Sequence, residues 1–115
     1  MSIQDLIKEI DEFVIERDWE QFHTPKNIAM SIAIESGELL ECLQWDHTLS
    51  SKELIKDQGR MADIADEIAD VQTYLLRMCS ILKINPIENV RRKLEINRVK
   101  YPKEKFSGSS RKYNS

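Results

Sequence analysis

Acids without partners are the first chemistry this sequence offers. Glu35, Glu38 and Glu41 follow one another at three-residue spacing, and no Lys or Arg occurs between Lys26 and Lys52. Further along, Asp63, Asp66, Glu67 and Asp70 fall in a run from Met61 to Leu76 that also lacks a basic residue. Helical periodicity puts Glu35 on the stripe of Ile28, Ile32 and Leu39, with Glu38 beside it one turn on. It likewise sets Glu67, Asp70 and Tyr74 along one edge, next to the apolar stripe of Ile64, Ile68, Val71 and Leu75. A solvated acidic face is the plain alternative. Such faces normally alternate charge sign and gain roughly a few tenths of a kcal/mol per i,i+4 pair, and here the partners are missing on both helices. Two like charges about 4 Å apart cost on the order of 4 kcal/mol at an effective dielectric of about 20. Packing the two helices together therefore calls for something cationic between them. An oxygen-only set, Glu35, Glu38, Glu67 and Asp70, suits a hard cation, Mg²⁺ or Mn²⁺, rather than zinc. Gly37, between two of these glutamates in a helix interior, costs roughly 1 kcal/mol relative to alanine and is expected to permit close backbone approach.

The elements that must position these acids read as helices throughout, an all-α chain. Ser2-Ile3-Gln4-Asp5 forms a capping box, and Leu6, Ile7, Ile10, Phe13 and Val14 continue at helical spacing to about Trp19. Thr24 as N-cap and Pro25 at the first helical position open a second helix to about Trp45. Its apolar residues cover nearly the whole circumference, which predicts a buried helix. Ser50 or Ser51 caps a third helical region reaching about Leu82, with a break expected near Gly59. Asn85-Pro86 repeats the cap-then-proline signal and opens a fourth helix, closed by Tyr101-Pro102. The spacing thus predicts one four-helix, bundle-like domain over 1–102 and a loose, basic, Ser-rich tail over 103–115.

Size and charge bound the function. A chain of 115 residues folded alone buries only about two thirds of its unfolded surface, so a deep enclosed site is not expected from one copy. Glycines at 37, 59 and 108 only exclude a Gly-rich dinucleotide fingerprint and a P-loop, leaving phosphate recognition to side chains and cations. The formal net charge of -3 is an average over an acidic body and a basic tail. An acidic body is a poor nucleic-acid binder. No apolar stretch is long enough for a membrane span, and two cysteines without a signal peptide point to the reducing cytoplasm.

Glu35-Ser-Gly-Glu38-Leu39 followed by Asp66-Glu67-Ile68-Ala69-Asp70-Val71 resembles the ExxE…ExxD signature of the MazG-like all-α nucleoside triphosphate pyrophosphohydrolases. The surrounding residues are more specific: Glu16-Arg17-Asp18-Trp19-Glu20-Gln21-Phe22-His23 with Pro25 and Asn27, then Gln44-Trp45, Ile96-Asn97-Arg98-Val99-Lys100-Tyr101-Pro102 and Ser109-Ser110-Arg111-Lys112-Tyr113. Together they are similar to the dCTP pyrophosphatase branch from about Ile7 to Tyr113. The resemblance implies hydrolysis between the α and β phosphates of a deoxynucleoside triphosphate, with Mg²⁺ held by Glu35, Glu38, Glu67 and Asp70. It also implies a homodimer or homotetramer with pockets at subunit interfaces, which answers the problem of size. In vertebrate relatives a histidine stands near the base pocket where this chain has Ile10. Ile10 offers no hydrogen bond, which opens base selectivity to question.

Given that resemblance, Lys93, Asn97 and Lys100, on one face of the last helix with Tyr101 at its border and Val90 and Leu94 turned inward, are expected to contact the triphosphate. A solvated basic face is the alternative. Trp19, His23 and Trp45 are expected around the base, with Tyr74 one turn beyond Asp70 lining the same pocket; core packing is the alternative for each Trp. Glu38 or Glu41 could accept the proton of the attacking water. His47 reads as a surface residue and Cys42 and Cys79 as small core residues, since no zinc-site spacing joins them. Two other functions stay open: a broad-specificity or dUTP-directed pyrophosphatase of the same fold, and a helical oligomerisation or regulatory module without turnover.

Overall fold

The computed structural model describes residues 1–47 and 50–108, so the expectations for Ser109–Tyr113 lie outside the described residues. Among those described, every regular element is helical: α1 (Ile3–Glu16), a 3-10 turn (Glu20–Phe22), α2 (Pro25–Leu43), α3 (Ser51–Ile55), α4 (Gln58–Ile81), α5 (Pro86–Lys100) and α6 (Lys103–Phe106). The helix starts sit on the side chains that the capping rules select. Ser2 and Asp5 exchange hydrogen bonds across the first turn of α1, both at 3.1 Å, Thr24 Oγ1 accepts from Asn27 N at 3.2 Å, and Asn85 Oδ1 accepts from Ile87 N and Glu88 N. Each satisfies an amide that the helix itself leaves unpaired.

Two ends differ from the periodicity. α1 stops at Glu16, a turn short of Trp19, because Asp18 takes a left-handed φ of 55°. The amides of Asp18 and Trp19 return to the carbonyls of Ile15 and Val14. That is the Schellman closure, with Asp in the place glycine usually fills. Gln21 Nε2 fastens the turn by donating to Asp18 O and Oδ2 at 2.9 and 3.0 Å. The third helical region breaks ahead of Gly59 rather than at it. α3 ends at Ile55 and Asp57, in extended backbone, caps α4 by accepting from Arg60 N at 3.1 Å.

The chain divides into two compact units, Met1–Lys83 and Ile84–Ser115. In the first, α4 is the central element and α1, α2 and α3 all pack on it, α2 most extensively. Arg60, near the start of α4, donates to Asp46 Oδ1 at 2.9 Å and to Cys42 O at 3.4 Å, at the end of α2. The two helices therefore run antiparallel, which brings the middle of one against the middle of the other. Among the described residues the buried apolar side chains are few: Val14 of α1, Ile28 of α2 and Ile64 of α4. α2 is not a buried helix in a single copy, since Met30, Ile34 and Leu40 are exposed. Its apolar circumference exceeds what α4 alone can cover. Nor does Gly37 serve a close approach here, because a Cβ at that position would meet no atom within 4 Å.

In the second unit, Val90 and Leu94 are exposed rather than turned inward. The segment expected to be loose contributes a short helix, α6, whose Phe106 packs edge-on against Tyr101 with ring centroids 5.2 Å apart.

Candidate active site

Antiparallel packing of α2 on α4 converts two i,i+3 acid pairs into one cluster. Glu35, Glu38, Glu67 and Asp70 each place a carboxylate oxygen within 4.8 Å of the others. Among the described residues, the charges acting on Glu35 and Glu67 are all those of other acids. Glu35 Oε2 and Glu67 Oε2 are buried without a hydrogen-bond partner among the described residues. A buried acceptor left unmade costs about 1–3 kcal/mol, more when charged. The cluster answers part of that strain with protons: the hydrogen bond to Glu38, then burial, then the charges of Glu38, Asp70 and Glu67 push the Glu35 carboxyl up to about 7. Glu67 is also raised, by burial first and then by the hydrogen bond to Glu38 and neighbouring charge. Hard oxygen donors, four of them convergent, with two acceptor atoms unmet, fit a divalent cation such as Mg²⁺ or Mn²⁺.

Asp70 also borders a cleft of about 440 Å³, lined by α1 residues including Glu9, Ile10 and Phe13, by Trp19 and His23, and by Thr73, Tyr74 and Arg77 of α4. Its walls are mostly apolar and aromatic, and its volume lies within the range of small-molecule sites, roughly 300–1,000 Å³. The early end of α1 creates it, because the turn at Asp18 folds Trp19 back to an edge-on contact with Phe13 at 5.7 Å. Three of the expected base-contacting residues, Trp19, His23 and Tyr74, thus meet, the rings of His23 and Tyr74 lying 6.4 Å apart. Ile10 is on the same wall.

Sequence reasoning missed the polar floor of this cleft. Arg77, buried, donates from Nη1 to Asp11 Oδ1 at 2.7 Å and from Nε to His23 Nδ1 at 3.1 Å. Ser80 Oγ donates to the other Asp11 oxygen at 2.6 Å. Burial and, after it, the Arg77 charge hold the His23 pKa below its ordinary value. A signal was available: Asp70, Tyr74 and Arg77 fall at i, i+4 and i+7, one helix face.

Other expected residues stand apart. Glu41 is not among the four convergent carboxylates. It lines a separate hollow with Cys42, Trp45, Asp46, His47 and Arg60. Trp45, 82% exposed, is not in the cleft with Trp19, because α2 ends two residues before it and Arg60 holds Asp46 at the far end of the helix pair. His47 is exposed as expected, whereas Cys42 and Cys79 are half-buried. Burial and the acids around it, Glu67, Asp63 and Glu41, push the Cys42 thiol up, which removes thiolate chemistry. In the second unit, Lys93 and Asn97 share a shallow hollow with Asn89 and Arg92. Lys100 is the last residue of α5 and Tyr101 its C-cap. No helix among the described residues is long and apolar enough to cross a membrane.

Residues 30–115 match the model of the MazG-like family. The chain is 34% identical over 112 residues to dCTP pyrophosphatase 1 of Homo sapiens, covering 97% of this chain and 66% of that protein. The Mus musculus protein of the same name is 32% identical over the same length. A solved structure of a pyrophosphatase from Archaeoglobus fulgidus DSM 4304 superposes with a TM-score of 0.76 at 48% identity, over 86% of this chain and 91% of that one.

Proposed function

The chain belongs to the MazG-like family, and on that premise we propose that it is a divalent-metal-dependent nucleoside triphosphate pyrophosphohydrolase. Its substrate is dCTP or a modified dCTP, cleaved by water to the monophosphate and pyrophosphate, a reaction that clears unwanted deoxynucleotides. The observation that carries this reading is the meeting of Glu35, Glu38, Glu67 and Asp70 within 4.8 Å beside an aromatic cleft that shares Asp70. The four carboxylates would hold Mg²⁺, with Mn²⁺ as a substitute. When bound, the cation supplies charge neutralisation at phosphate oxygens.

The chain's own residues do the rest. Trp19 and Tyr74 sandwich or edge the base, and His23 gives it a polar contact. Asp70, common to cluster and cleft, sets the distance between base and phosphates. Glu38 is the stronger choice over Glu41 to accept the proton of the attacking water, since its carboxylate is in the cluster and Glu41 is outside it. Lys93, Asn97, Lys100 and Tyr101 are proposed to contact the triphosphate as cationic, amide and hydroxyl donors. The working unit is a homodimer or homotetramer in the cytoplasm, with no nucleic-acid or membrane partner; Met30, Ile34 and Leu40 of α2 are exposed in a single copy and are side chains of the kind that subunits bury. A second reading, a pyrophosphatase of broader base range or directed to dUTP, draws on Ile10, which lines the cleft and offers no hydrogen bond.

The test is direct. The purified protein is incubated with each dNTP and NTP plus Mg²⁺, and pyrophosphate and orthophosphate are measured. Pyrophosphate with dCTP ranked first is the expected result, and a flat ranking selects the second reading. Orthophosphate alone overturns cleavage between the α and β phosphates. No product at all selects a helical oligomerisation or regulatory module.

A further inference from the structure

The proposed reaction gives no task to Arg77, the most deeply buried charged residue among those described, at 7% exposure. Its contacts leave little freedom. A guanidinium stays protonated at every accessible pH and offers donors only. Its Nε lies 3.1 Å from His23 Nδ1, so Nδ1 must be the acceptor and the neutral ring carries its one proton on Nε2. The other tautomer would set two N–H groups face to face, and an imidazolium would add a second positive charge at hydrogen-bond distance. Asp11, at 2.7 Å from Nη1, neutralises the guanidinium and fixes its rotation. Ser80, at 2.6 Å, occupies the second Asp11 oxygen and so holds the carboxylate in place against Arg77. The imidazole lines both the cleft with Ile10 and Tyr74 and the adjoining hollow with Asn27 and Ser31, and its Nε2 makes no hydrogen bond to a described residue.

We propose that Arg77, held by Asp11 and Ser80, is a positioning residue that presents His23 to the cleft as an Nε2–H donor only, so that the base is read through an acceptor, the 2-carbonyl group shared by pyrimidines. This rests on the nucleotide reading above. It adds that His23 is blind to the 4-substituent: it holds a cytosine and a uracil by the same atom, and discrimination between them falls to other residues.

The experiment has a ligand-free part and a substrate part. Long-range ¹⁵N–¹H spectra of the histidine-labelled full chain at neutral pH are recorded for the wild type, Arg77→Lys and Arg77→Met. The expected result is His23 with a bare Nδ1 and a protonated Nε2 in the wild type and in Arg77→Lys, which keeps a donor, and a mixture of tautomers in Arg77→Met. A proton on Nδ1 in the wild type, or an Arg77→Met spectrum like the wild type's, overturns the positioning role. If Arg77→Met does not fold, the wild-type and Arg77→Lys spectra decide. These spectra do not depend on whether any nucleotide is hydrolysed. In the substrate part, kcat/KM for dCTP is compared with that for its 2-thio analogue, whose sulfur is a weak acceptor. A ratio of about tenfold, the worth of one hydrogen bond, is expected in the wild type, falling toward one in His23→Phe. An unchanged ratio in an active His23→Phe overturns the base contact while leaving the pyrophosphohydrolase reading intact.

Discussion

On α4, Glu67 and Asp70 face acids from α2, whereas Arg77 and Ser80, further along the same helix, face an acid from α1. The two groups are built on opposite terms. Around Arg77 the charges are of opposite sign and both Asp11 oxygens and two guanidinium nitrogens are engaged. Around Glu67 the charges are all negative and two buried oxygens have no partner. A satisfied network orients its neighbours and stabilises the fold it sits in. An unsatisfied one of a single sign stores strain that a ligand can relieve, which is the physical ground for proposing a cation there.

Removing groups from the two clusters should therefore have effects of different kind. The largest is on turnover. Glu38→Gln or Asp70→Asn is expected to lower kcat by at least about 10²–10³-fold, the several kcal/mol that metal-assisted charge stabilisation supplies, while circular dichroism keeps its helical content; full activity in either variant would refute the metal assignment. Next comes stability at the other cluster. Arg77→Met leaves the Asp11 charge without its partner and should destabilise the protein by about 3 kcal/mol in urea titration. Divalent cation acts only on the acid cluster: Mg²⁺ at about 100 times its Kd should stabilise the wild type by about 2.7 kcal/mol, and Glu35→Gln should lose most of that gain.

The smallest effect carries the sharpest sign. Without metal, Glu35→Gln should melt a few degrees above the wild type at neutral pH, roughly what relief of about 1 kcal/mol gives, whereas Arg77→Met melts below it. The Glu35 carboxyl is raised from 4.5 to about 7 in the folded chain. Between those values the folded state keeps a proton that the unfolded state releases, so the stability this group contributes is complete below about 4.5 and lost as pH rises through about 7. The stability of the wild type relative to Glu35→Gln should fall across that window in thermal melts. A constant difference would show that Glu35 titrates as an ordinary surface acid.

Much of the helical framework was legible because its signals are local. Ser2 with Asp5, Thr24 before Pro25, and Asn85 before Pro86 each cap a helix through an amide within three residues. The ends that were misplaced turn on Asp18 and Asp57, acids standing where glycine or a periodicity break would have been the plainer mark. The four carboxylates were legible as well, since unpaired acids at i,i+3 on two helices carry their own electrostatic warning. Glu41, with the same spacing, carries the same warning and yet points to another hollow. Trp45 stands outside the cleft of a single copy, and the faces of α2 and α5 expected to turn inward are exposed there, because periodicity gives which residues share a face, not what covers it.

The sequence by itself determined where most helices begin, which residues share each face, and that the acids of two helices lack cations. Those properties are set by neighbours within about one turn, through capping and the 3.6-residue period. Only the tertiary structure decided that α2 and α4 run antiparallel so that four acids converge, that Trp19 folds back over α1 to make a cleft against Tyr74, and that Arg77 meets both Asp11 and His23. These contacts join residues separated by 54 and 66 positions in the chain. Their partners are chosen by how whole helices pack, and no local spacing encodes that choice.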